Sequence, residues 1–75
     1  MTLFECAWWM GLMLIGTEHE ALRGRLLAAV QSHNLAAVHD ALTGEAADAV
    51  QVAPFQERRS EWLRGYAAQA EQEAA

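Results

Sequence analysis

The chain has 75 residues, 53% of them apolar, with ten acidic side chains against five arginines, no lysine and a formal net charge of −5. A domain of this size buries only about 60% of its unfolded surface and draws on extra support, and with Cys6 as the one cysteine that support cannot be an intramolecular disulfide. A thiolate zinc site lacks its ligands, and the negative balance opposes nonspecific approach to a phosphate backbone. Homodimerisation is the expected support, and the composition fits a reducing cytoplasm.

The run from Leu3 to Ile15 is apolar apart from Glu5 and Gly11. A membrane span needs roughly 20 apolar residues, and a secretory signal needs preceding basic residues and a small-residue cleavage site. Neither pattern is present, so no membrane partner is expected and the run reads as a buried helix over 3–15. Thr2-Leu3-Phe4-Glu5 has capping-box spacing, and Gly16 suits the left-handed residue after a helix end. Trp8 and Trp9 point about 100° apart on a helix and do not share one small core. One of them, with Phe4 or Met13, is expected to meet another surface, either a second copy or a target; the alternative packs both within the monomer. Cys6 has no histidine within a helical turn and no local positive charge, so it reads as a small buried hydrophobe.

Directly after Gly16, Thr17-Glu18-His19-Glu20 repeats the capping-box spacing and predicts the start of a second helix. Its apolar face is Leu22, Leu26, Ala29 and Val30, with Arg23, Arg25 and Gln31 in water. That face lies opposite Leu35, Val38 and Leu42 on a straight helix, which predicts a break. Asn34 then caps a third helix over 35–43, which Gly44 closes. Residues 45–50 read as a helical turn, followed by an extended link into Pro54.

Proline in a first turn predicts the last helix. Phe55, Trp62, Leu63, Tyr66, Ala67 and Ala70 form its apolar stripe, and Gln56, Glu57, Arg64, Glu71 and Gln72 its wet side. Gly65, between Trp62 and Tyr66, costs roughly 1 kcal/mol against alanine in a helix and marks a close approach by another helix or a ligand. Residues 68–75 lack a stripe and are predicted to fray. The expected fold is all-α: one domain over 1–75, a small compact bundle of about four helices with short connections.

Pro54-Phe55, a short spacer and Arg59-Ser60-Glu61-Trp62-Leu63-Arg64-Gly65-Tyr66 resemble the C-terminal signature of the ribosome modulation factor family, over 53–70, about a quarter of the chain. That signature is a proline-aromatic pair followed by an arginine-rich Trp-Leu-x-Gly-aromatic helix. The resemblance implies a small helical module that docks on a ribosome. Arg58, Arg59, Trp62 and Tyr66 would then supply phosphate contacts and stacking surfaces for rRNA.

Catalytic patterns are lacking. There is no glycine-rich phosphate loop, no Cys-x-x-Cys and no His-Glu-x-x-His, and His19, His33 and His39 are not at ligand spacing. Ser60 has no neighbouring histidine, and Glu57 with Glu61 reads as a solvated edge. The chain therefore reads as a non-enzyme with no cofactor and no metal. The first functional expectation is a protein-binding module of the kind phage and mobile elements use to regulate or inhibit a bacterial host complex. Its candidate contact residues are Trp8, Trp9, Glu57, Arg58, Arg59, Glu61, Trp62, Arg64 and Tyr66. The acids, with Glu45 and Asp48, would face a basic surface, including one that normally binds nucleic acid. The alternative is ribosome association.

Overall fold

The computed structural model describes residues 1–74. They form five helices, α1 (Leu3–Leu12), α2 (Glu20–Gln31), α3 (Leu35–Thr43), α4 (Glu45–Asp48) and α5 (Ala53–Ala74), with no strand among the described residues. The all-α expectation holds, with the predicted turn at 45–50 forming the one-turn α4.

α1 begins as the capping spacing predicts, with Thr2 Oγ1 accepting the Glu5 N–H at 3.1 Å. It ends at Leu12 rather than Ile15, because the next amides tighten to three-residue bonds: Leu14 to Gly11 and Ile15 to Leu12, at 3.1 and 3.2 Å. This corner turns Leu14 fully into the core, and Gly16 takes the left-handed conformation at φ +77°.

The start of α2 differs from expectation. Thr17 is not its cap, because the Thr17 hydroxyl donates to the Leu14 carbonyl at 2.6 Å and accepts the His19 N–H at 3.2 Å. Such local side-chain bonds compete with a helix start, and α2 begins only at Glu20.

Between α2 and α3 the predicted break is a full Schellman closure: the His33 N–H reaches Val30 O and the Asn34 N–H reaches Ala29 O, at 3.0 and 2.9 Å. His33 occupies the left-handed position at φ +51°, where glycine is usual. Asn34 then caps α3, its Oδ1 accepting the Ala37 N–H at 3.1 Å.

The link after α4 is pinned from α5. Gln56, expected on the wet side, is half-buried, and its amide donates to Ala47 O and Val50 O at 2.9 and 2.7 Å. Ala47 O also accepts the Val50 N–H at 3.2 Å, so Gln56 is a second donor there and a partner for the Val50 carbonyl beyond the helix end.

One cluster forms the core: Cys6, Ala7, Met10 and Leu14 from the first segment, Leu22, Leu26 and Ala29 from α2, Val38, Ala41 and Leu42 from α3, then Ala47, Val50, Phe55 and Trp62. Two glycines let α1 come close. A Cβ on Gly11 would lie 2.8 Å from Leu27 Cδ2 and 3.3 Å from its Cγ, and one on Gly65 would lie 3.1 Å from Leu3 Cδ2. The close approach expected at Gly65 is thus made by α1.

The apolar stripe of α5 stops at Tyr66. Ala67 and Ala70, expected to be part of it, are exposed. α5 is helical to Ala74, as its alanine-rich end favours, and Ala75, where fraying was also expected, lies outside the described residues.

Glycine substitutions separate packing from propensity. Gly24→Ala, with open space around the added methyl, should stabilise the chain by about 0.5–1 kcal/mol. Gly11→Val, driven against Leu27, should destabilise it by roughly 1–3 kcal/mol. Urea unfolding followed by circular dichroism measures both.

Candidate protein-binding surface

On a 100°-per-residue helix Trp8 lies about 160° round from both Cys6 and Met10, the residues that anchor α1 in the core. Trp8 therefore points away from the bundle, and it is 38% exposed; Trp9 is 51% and Ile15 60% exposed. Neither tryptophan is in the core, whose largest side chain is Trp62.

Phe4, Glu5, Trp8 and Trp9, with Val30 of α2 as the far wall, line a groove of about 240 Å³. All but Glu5 present an apolar side chain to it. Phe4 is steadied by an edge-on contact with the His33 ring, centroids 5.5 Å apart at 71°. Ile15 and Val30 are the surface residues that sequence reasoning missed. The available signal for Ile15 was spacing, since Glu5, Trp8, Leu12 and Ile15 recur at steps of three, four and three.

The candidates on α5 divide. Arg59 donates to Leu42 O at 3.0 Å and to Asp48 Oδ1 at 2.8 Å, so it closes the end of α3 and ties down α4. Trp62 is 1% exposed, and its indole N–H donates to Leu3 O at 2.8 Å. The expectation that Arg59 and Trp62 belong to a contact surface is corrected: a buried indole needs a partner for its N–H, and unpaired helix-end carbonyls draw in a donor.

Tyr66 is half-buried and stacks on Trp62 at 5.2 Å and on His39 at 4.7 Å. Arg58 is half-buried, its Nη1 3.7 Å from Met1 Sδ, while Glu57, Glu61 and Arg64 are exposed. Of the expected contact residues, then, the structure pairs Trp8 and Trp9 in one groove and leaves the α5 charges outside it.

Other chemistry has little to build on. Cys6 is 7% exposed, and burial pushes its thiol up from the ordinary 9.0, with the Arg58 charge acting in the opposite direction. A protonated, buried thiol is a poor nucleophile. Among the described residues no three His, Cys, Asp or Glu side chains converge as a metal site, and no helix is long and apolar enough to cross a membrane. No family model, curated protein or solved structure matches the chain.

The Cys6 environment gives a signed pH dependence. Because the folded state holds the thiol proton more tightly than the unfolded chain, its contribution to stability is complete below pH 9.0 and is lost as pH rises above it. Melting temperature measured from pH 8 to pH 10.5 should fall more in the native chain than in Cys6→Ala, and a thiol-alkylating reagent should label Cys6 quickly only in urea.

Proposed function

We propose that this chain is a non-enzymatic protein-binding module that regulates or inhibits a larger bacterial complex, and that the outward face of α1 is its docking surface. One observation carries the reading: a 75-residue chain with little core to spare leaves two tryptophans and an isoleucine in water around an apolar groove. Exposed apolar patches of this kind mark contact sites, and tryptophan is the residue most enriched among those that dominate binding energy.

The charge pattern supports a partner whose rim is basic. With a net charge of −5 and with Glu45, Glu57 and Glu61 exposed, the chain would be steered toward positive surfaces, including those that otherwise hold nucleic acid. Asp48 is less available, being paired with Arg59. Association with rRNA has less support, because Arg59 and Trp62 are committed within the fold, leaving Arg58, Arg64 and Tyr66 for phosphate and base contacts.

Capture of partners from a nuclease-treated bacterial lysate on the tagged chain is the test. A stoichiometric, nuclease-resistant protein complex is expected. Its retention should fall at least about tenfold with Trp8→Ala/Trp9→Ala, while helicity is unchanged because both side chains lie outside the core. Ribosomal proteins that disappear on nuclease treatment, with retention sensitive to Arg64→Ala and indifferent to the tryptophans, would overturn the proposal.

A further inference from the structure

Glu5, Trp8 and Leu12 lie within about 60° of arc on the side of α1 that faces away from the core, and Ile15 follows in the turn directly after the helix, 60% exposed. The three-four step from Glu5 through Trp8 to Leu12 is the step of a two-helix seam, in which each large side chain enters a hole between side chains of the facing helix. The surface also holds both halves of such a contact, a groove between Phe4, Trp8, Trp9 and Val30 and the protruding Ile15. A patch that contains its own complement meets the requirement of a twofold interface, in which the same residues serve on both sides.

We infer that, in the free protein, this face is covered by a second copy of the chain, with the two α1 helices packed antiparallel. The inference rests on the reading of α1 as a docking surface and names its occupant. Direction follows from Glu5, the one charged residue in the seam. Parallel helices would set Glu5 against Glu5, whereas antiparallel helices centred beside residue 10 set Trp8 against Leu12 and Glu5 beside the turn that carries Ile15, each twice. Ile15 of each copy then lies over the groove of the other. Elsewhere the net charge of −5 keeps two copies apart, and this face, with a single carboxylate, is where they can meet.

Size sets the strength. A ten-residue helix is about 15 Å long, and one such seam covers less than the roughly 800 Å² per partner of a standard stable interface. The dimer is thus reversible, with a dissociation constant in the micromolar range or weaker, so a target that uses the same groove displaces the second copy.

Sedimentation velocity of the full chain over a wide concentration range tests this. The expected mass rises from the 8.3 kDa of one chain toward twice that value, and the tryptophan emission moves to shorter wavelength along with it. Ile15→Glu should hold the chain as a folded monomer, and adding Glu5→Arg to it should restore association, because position 5 of one copy lies beside the turn that carries position 15 of the other. A chain that stays monomeric at the highest attainable concentration overturns the inference. So does a dimer that ignores Ile15→Glu, or one that Glu5→Arg fails to rescue. If the native chain is monomeric but Trp8→Ala/Trp9→Ala still abolishes capture of a lysate partner, only the self-pairing is wrong; if capture is also unaffected, the docking surface is wrong as well.

Discussion

The hydrogen bond from the Trp62 indole to the Leu3 carbonyl joins residues 59 positions apart, and the arrangement of the bundle depends on it. An indole buried without a partner for its N–H would forfeit much of what its burial contributes. Leu3, at the first turn of α1, provides that partner, and its second lone pair remains free for the helix. Once this contact is made, α1 lies against α5 at Gly65, where an added Cβ would sit 3.1 Å from Leu3 Cδ2. The rotation of α1 is then fixed. Cys6 and Met10 turn inward, and Trp8 turns out. The surface offered to other molecules is thus set by how the last helix holds the first.

Long polar side chains close the places where short helices end. α3 and α4 together span few residues, so a large share of their carbonyls are terminal ones without helical partners. Arg59 and Gln56, both from α5, donate to Leu42, Ala47 and Val50. Each carries an apolar stem across the core rim and leaves its polar end at a backbone oxygen. α5 accordingly organises the bundle twice, through Phe55 and Trp62 in the core and through these donors at its edge.

Local signals in the sequence translated well. The Thr2 and Asn34 caps, the left-handed Gly16, the break near residue 33 and the one-turn segment before Pro54 all depend on neighbours within a few positions. Thr17 misled for an equally local reason, because its hydroxyl had a second bonding partner behind it at Leu14. What could not be read was the fate of side chains whose partners are remote. Trp62 and Arg59 look the same on a helical wheel whether they face a ligand, a target or Leu3 and Leu42. The site was half visible. Two adjacent tryptophans cannot share one small core, which pointed to α1, but the groove wall at Val30 arises only when α2 folds back alongside.

The long reach of the Trp62 contact has a consequence for vectorial synthesis. At about 5–20 residues per second, α1 is made several seconds before the residue that will hold it. In that interval α2 can cover one flank at Gly11, but the flank that holds Cys6 waits for α5. The nascent chain therefore leaves one side of its most apolar segment open until the part of α5 that carries Trp62 has emerged from the ribosome.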